Sequence, residues 1–220
     1  MTKNALKARA YLPEELPEEL PEAMPELDGK INMIEYIAAE IETLTDNGVA
    51  RPKQEGRLRE RLTAIARAAC EHYAGDLLEI GGYTGETTKL LAEIAREYGR
   101  RVLVVDPWEI GTHNCCGREY PQFLRNTLPY ADIVDVVRLP SQHENAFNAM
   151  RGRVLAFAFV DGLHTYDGAA SDLFACDHAA VICMDDIRWN TELMRLFDES
   201  LKLKAWNYGC REGYLSNADY

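Results

Sequence analysis

The sequence predicts an α/β fold, a Rossmann-like doubly wound sheet that is mostly parallel with helices on both faces. Two observations predict it. Short segments that are apolar almost throughout, 101–105 and 154–160, alternate with segments of helical period, the pattern of parallel strands covered on both sides. The first strand also runs into a glycine-rich turn that opens a helix, Gly81-Gly82-Tyr83-Thr84-Gly85. At 220 residues the chain is long enough to bury a sizeable core within one such domain.

Taken in order, residues 13–28 repeat a period of four from Pro13, Pro17, Pro21 and Pro25, with seven acids and no base. Each proline lacks an N–H and disfavours a helical predecessor, so residues 1–30 are expected to form an extended Pro/Glu-rich arm. It is either solvated or packed on a partner through Leu16, Leu20, Met24 and Leu27. Residues 31–75 form a helical extension. Ile31, Ile34, Ile37, Ile41 and Leu44 make one stripe, and Leu58, Leu62, Ile65, Ala66 and Ala69 make a second over 55–73. Together these helices offer a face for a homodimer.

The core is expected over 76–220. Strands are predicted at 76–80, 101–105, 133–139, 154–160 and 179–184. Helices are predicted at 86–98, 118–127, 142–150, 166–176 and 188–202. Segments 204–208 and 213–215 are expected to close the sheet as an antiparallel hairpin. In such sheets ligands bind at the carboxyl ends of the strands, where strand order reverses.

Composition narrows the partners. A formal net charge of −12 argues against broad contact with nucleic acid or an anionic membrane, both of which need clustered Lys and Arg. It suits a small neutral substrate or a cationic cofactor. No apolar run approaches the ~18 residues of a membrane span, and 1–10 lack the apolar stretch of a secretory leader. Six scattered cysteines then read as reduced thiols in a cytoplasmic protein.

The glycine turn and Asp106, 21 residues beyond Gly85 at the next strand end, suit a ligand with a ribose, because an acid there accepts both hydroxyls. The dinucleotide pattern G-x-G-x-x-G is not met, since Tyr83 and Glu86 stand where glycines belong, so a nicotinamide cofactor is disfavoured. No lysine-bearing phosphate loop follows, which disfavours a nucleoside triphosphate.

Four motifs occur in order: Glu79-Ile80-Gly81 to Gly85-x-Thr87-Thr88, Val104-Val105-Asp106-Pro107-Trp108, Phe159-Val160-Asp161-Gly162-x-His164-x-Tyr166 and Met184-Asp185-Asp186. Over about 76–190 this set resembles the class I S-adenosylmethionine-dependent methyltransferases. The branch it resembles includes macrocin-type sugar O-methyltransferases and cephalosporin-hydroxylase-like proteins. The resemblance implies S-adenosyl-L-methionine as cofactor, with Gly81 and Gly85 flanking its methionine part, Asp106 on the ribose and Ser141 and Gln142 by the adenine. Glu79 would order the turn, and Gly82, Tyr83, Thr87, Trp108 and Asp161 complete the expected cofactor set.

Asp161, Asp185 and Asp186 converge at neighbouring strand ends. They repel unless a cation intervenes, and a hard divalent ion such as Mg²⁺ selects oxygen ligands. The resemblance implies such an ion on these three acids, where it would lower the pKa of the attacking hydroxyl. Alternatively the acids cap helices or meet arginines such as Arg188. Two departures from the family pattern matter. Leu163 stands where the family usually has an acid, and His178-Ala179-Ala180 replaces its Gly-Gly. His164, with Asp161, is then the candidate base, because imidazole titrates near neutrality, although a histidine after a strand also serves as a structural hydrogen-bonder. The loop Gly111–Gly117 is expected to form a substrate-contacting lid. Zinc on His113, Cys115 and Cys116 is disfavoured, as no fourth ligand is visible.

The function predicted is metal-assisted O-methylation of a hydroxylated small molecule: a sugar, a phenol or a secondary metabolite. A relative performing another reaction such as hydroxylation, or a non-catalytic binding module, are the alternatives.

Overall fold

The computed structural model describes residues 51–111, 115–187, 190–208 and 211–216. The arm, the predicted 31–44 helix, His113 and Arg188 lie outside the described residues. The chain runs α1 (Arg51–His72), β1 (Asp76–Ile80), α2 (Glu86–Glu97), β2 (Val102–Val105), α3 (Glu119–Thr127), a 3₁₀ turn (Leu128–Tyr130), β3 (Val134–Val137), α4 (Glu144–Arg151), β4 (Leu155–Val160), α5 (Tyr166–Cys176), β5 (Val181–Met184), α6 (Thr191–Lys204), β6 (Ala205–Tyr208) and β7 (Gly213–Ser216).

Seven strands form one sheet in the order β3-β2-β1-β4-β5-β7-β6. The first five are parallel, and β7 pairs antiparallel with both β5 and β6. This is the mostly parallel sheet with an antiparallel end that the alternating apolar strands and the terminal hairpin pattern predict. Strand order reverses between β1 and β4, where Ile80 pairs with Val160 and, on its other side, with Val105. The crevice therefore opens just beyond these three residues.

Alternate residues of each strand feed two separate cores. Leu77, Phe157, Phe159, Val181 and Cys183 pack on one face with Leu62, Ile65 and Ala69 of α1, Leu91 and Ile94 of α2 and Phe123 of α3. Leu78, Ile80, Ala158, Val160, Ile182 and Met184 pack on the other with Met150 of α4, Leu173 and Cys176 of α5 and Leu196 and Phe197 of α6. Every residue of β2 and β4 is buried, which is why these strands read as apolar without alternation.

The predicted stripe of α1 is buried throughout, at Leu58, Leu62, Ile65, Ala66 and Ala69, and the last four belong to the core on one face of the sheet. From the same helix Arg61, 2% exposed, grips the fully buried Glu212 through Nε at 2.5 Å and Nη2 at 3.0 Å. Removing either partner would strand a buried charge at a cost of about 3–5 kcal/mol. The ion pair ties α1 to the turn before β7.

Candidate active site

The β1–α2 turn is built from backbone. Gly81 has φ +97°, and a Cβ on it would stand 2.1 Å from the Asp161 carbonyl oxygen. Only glycine lets the turn pass so close to the end of β4. The Gly81 N–H donates to the Val105 carbonyl at 2.9 Å, and the Asp161 N–H donates to that of Ile80 at 2.8 Å. The ladder thus persists to the mouth of the crevice.

Asp106 closes the turn. Its Oδ2 accepts the Tyr83 N–H at 2.9 Å, and its Oδ1 accepts the Trp108 N–H at 2.6 Å. Each carboxylate oxygen has a further lone pair, so the group can still accept hydroxyls. Tyr83, 52% exposed, stands at the mouth with φ +40°. Trp108, expected to meet the cofactor, is instead only 3% exposed. Its ring packs 4.8 Å from that of Tyr120 and 4.7 Å from that of Phe123, and its Nε1–H donates to the Tyr83 carbonyl at 2.6 Å. It underpins the turn from the core.

Glu79, 1% exposed, lies on β1 below the turn and accepts the Thr88 hydroxyl. Burial pushes its carboxyl up to about 8; the Thr88 bond opposes this, and the charges of Asp161 and Asp106 add to it. Thr87, expected at the cofactor, is half-buried. Thr88 carries the contact to Glu79 because it takes the inward position in the first turn of α2.

After β3, the Ser141 hydroxyl donates to Asp172 Oδ1 at 2.5 Å. The Gln142 amide reaches Ser141 Oγ at 2.7 Å and the same Asp172 oxygen at 3.1 Å. Asp172 of α5 is fully buried, and burial pushes it up to about 7 against the bonds it accepts. It was not singled out from sequence, although Ala169, Asp172 and Cys176 share the inward stripe of α5, where an acid is unusual.

The acidic rim stands at the ends of β4 and β5. Asp161 Oδ1 lies 3.1 Å from His164 Nε2, and His164 Nδ1 lies 3.7 Å from Asp186 Oδ2. The Asn190 amide holds the His164 carbonyl at 2.7 Å. The bond to Asp161 raises the His164 pKa; burial works against the shift, while the charges of Asp161, Asp186 and Asp185 add to it. Asp161, His164 and Asp186 offer ligand atoms that all lie within 4.8 Å of one another.

Asp185 does not join them. It is 3% exposed, and its Oδ1 accepts from Arg211 Nε at 2.6 Å while Arg211 Nη2 binds Oδ2. Arg211 Nη2 also lies 3.0 Å from Asp186 Oδ1. Of the expected three-acid ligand set, Asp185 and Asp186 are thus bridged by a guanidinium. Around Gly111–Gly117, the described thiols of Cys115 and Cys116 both donate to Glu119, at 3.2 and 3.1 Å, and draw its carboxyl down to about 2. That carboxylate ties the two cysteines to the start of α3.

A doubly wound sheet with this turn, this strand-end acid and this rim defines a class I methyltransferase. The family model described as "Methyltransferase domain" matches residues 78–187, half of the chain, and the chain belongs to that family of S-adenosylmethionine-dependent enzymes. Among solved structures it is similar to CalS11, titled a TDP-rhamnose 3'-O-methyltransferase of calicheamicin biosynthesis, with 14% identity, 93% of this chain and 98% of that chain covered and a TM-score of 0.54. It is similar to the O-methyltransferase NovP, with 17% identity, coverage of 87% and 100% and a TM-score of 0.54. The O-methyltransferase TomG from Streptomyces achromogenes, solved with S-adenosylmethionine, gives 15% identity, coverage of 87% and 91% and a TM-score of 0.50. At such identities these structures establish the shared fold. No curated protein matches the chain by sequence.

Proposed function

We propose that the chain transfers the methyl group of S-adenosyl-L-methionine to a hydroxyl of a small molecule such as a sugar, a phenol or a secondary metabolite. The observation that carries this reading is His164, fixed by Asp161 on the rim that faces the Gly81–Asp106 turn across one strand end. The turn would take the methionine part of the cofactor against Gly81, Gly82 and Gly85, and Asp106 the ribose. The Ser141–Gln142 corner would take the adenine. His164 receives the acceptor's hydroxyl proton, and the oxygen attacks the methyl carbon in line. The carbon–sulfur bond breaks, and its electron pair stays on sulfur. Alignment of the two reactants supplies much of the acceleration.

The names of CalS11, NovP and TomG support an oxygen acceptor. Metal assistance through Asp161, Asp185 and Asp186 does not fit a rim in which Arg211 holds Asp185, so no step is routed through an ion. All five described cysteines are free, which suits a reducing cytoplasm. Among the described residues no helix is long and apolar enough to cross a membrane.

The test is calorimetry with S-adenosylmethionine and its demethylated product, followed by methyl transfer to a panel of phenols, catechols and sugars. Both ligands should bind wild type, and Asp106→Ala should weaken binding strongly. Binding of NADH without binding of the sulfonium would overturn the cofactor assignment. Methylation of amines alone would overturn the oxygen acceptor.

A further inference from the structure

We infer that Arg211 is the resident cation of the acidic rim, and that it competes with a divalent ion for Asp185 and Asp186. Three carboxylates at neighbouring strand ends need positive charge among them. In this chain the fold supplies it covalently. Arg211 presents a two-pronged contact to Asp185, through Nε at 2.6 Å and through Nη2, and the same Nη2 stands 3.0 Å from Asp186. Its side chain is 11% exposed and that of Asp185 is 2% exposed, so water screens the pair little.

The placement follows from strand pairing. β5 and β7 run antiparallel with Met184 opposite Gly213, so Asp185 and Asp186, which follow β5, come close to Arg211 and Glu212, which precede β7. Glu212 turns inward to the buried Arg61, and Arg211 turns to the rim. The Arg211 N–H also donates to Glu212 Oε2 at 3.2 Å. The backbone that carries the guanidinium is thus anchored through its neighbour to α1.

A guanidinium brings its charge in a fixed planar fork that matches one carboxylate edge-on. A divalent ion at the same acids would have to expel that fork from Asp185 and accept a second positive charge close by. With the arginine in place, Asp161, His164 and Asp186 are left as the ligand atoms within reach of one another. Their combined charge is lower than that of three carboxylates, so their hold on a hard cation is weaker. The inference concerns the same rim as the proposed reaction but rests on ion-pair geometry. Its measurement is metal binding, which can succeed or fail whether or not the chain methylates a hydroxyl.

The experiment is a titration of the full chain with Mn²⁺, read by electron paramagnetic resonance of the free ion. Wild type, Arg211→Met and Asp185→Asn are compared, each checked for a native circular dichroism spectrum. Removing one neighbouring positive charge should tighten Mn²⁺ binding by at least about tenfold in Arg211→Met. Asp185→Asn should weaken Mn²⁺ binding by no more than about tenfold, the effect of one neighbouring charge, because Asp185 is not among the ligands while Arg211 holds it. Equal Mn²⁺ affinity in wild type and a folded Arg211→Met would overturn the inference. Should Arg211→Met not fold, the second comparison decides alone: tight Mn²⁺ binding by wild type that Asp185→Asn abolishes would mean that the ion displaces the arginine, and would overturn the inference equally.

Discussion

The glycine turn and the acidic rim stand at the ends of adjacent strands, yet they are held by different forces. The turn is fixed by backbone: Gly81 against the Asp161 carbonyl, the Tyr83 and Trp108 N–H groups on Asp106, and an indole beneath. All its parts except the Asp161 carbonyl and the rings of Tyr120 and Phe123 lie between Glu79 and Trp108. The rim is fixed by charge: Asp161 orients His164, and Arg211 spans Asp185 and Asp186. Its members come from the ends of β4 and β5 and from the turn before β7. A backbone-built region tolerates little change in shape but much in charge. A charge-built region does the reverse. Cofactor binding and proton transfer should therefore separate under mutation.

The largest effect expected is on turnover. His164→Ala should lower kcat by about 10²–10⁴, the usual worth of a general base, with the S-adenosylmethionine dissociation constant unchanged. Steady-state kinetics alongside calorimetry checks this. Equal losses in both would show that the two regions act as one.

Next comes the support under the turn. Trp108→Ala removes a buried ring packed on Tyr120 and Phe123, and should cost about 3–5 kcal/mol in urea unfolding. Trp108→Phe keeps an aromatic ring but leaves the Tyr83 carbonyl without its donor. It should cost about 1–3 kcal/mol and weaken cofactor binding more than the loss of packing alone explains. Loss of stability in Trp108→Phe with no loss of cofactor affinity would mean that the indole supports the core and not the turn.

The same contrast governs what the sequence reveals. Strand periodicity and glycine punctuation are local, so β1 and α5 fall on their expected bounds, 76–80 and 166–176. The remaining elements of the core shift by a few residues at most, because end residues fray into turns. The turn is legible for the same reason: Gly81, Gly85 and Asp106 lie within one β-α-β unit. Arg211 is not legible. It follows Asp185 by 26 residues, and only the antiparallel register of β5 with β7 brings the two together. A cation between the acids was the correct physical demand, and the covalent source of that cation was out of reach. The inward turn of the Trp108 ring is not legible either, because a motif marks a position along the chain and not the direction of its side chain. Asp172 belongs to none of the four motifs, although helical periodicity sets it inward.

The smallest effect, and the one that probes the floor of the turn directly, is a slope in pH. Glu79 is buried, with its pKa pushed up to about 8 from an ordinary value near 4.5. Between those values the folded chain keeps a proton that the unfolded chain releases, so stability falls as pH rises from about 4.5 to about 8. The slope from one such group is at most about 1.4 kcal/mol per pH unit. The variant Glu79→Gln keeps an acceptor oxygen for the Thr88 hydroxyl but has nothing to titrate. His164, whose pKa is also raised, likewise loses stability with rising pH, through its own folded pKa, yet that term is present in both proteins and cancels in their difference. Urea unfolding of the pair at pH 5, 6 and 7 should therefore show Glu79→Gln gaining on wild type at each step. Parallel curves would mean that Glu79 is ionised in the folded chain. The floor of the turn would then be charged like the rim, and the distinction between a backbone-built and a charge-built region would fail at the one residue that lies beneath both.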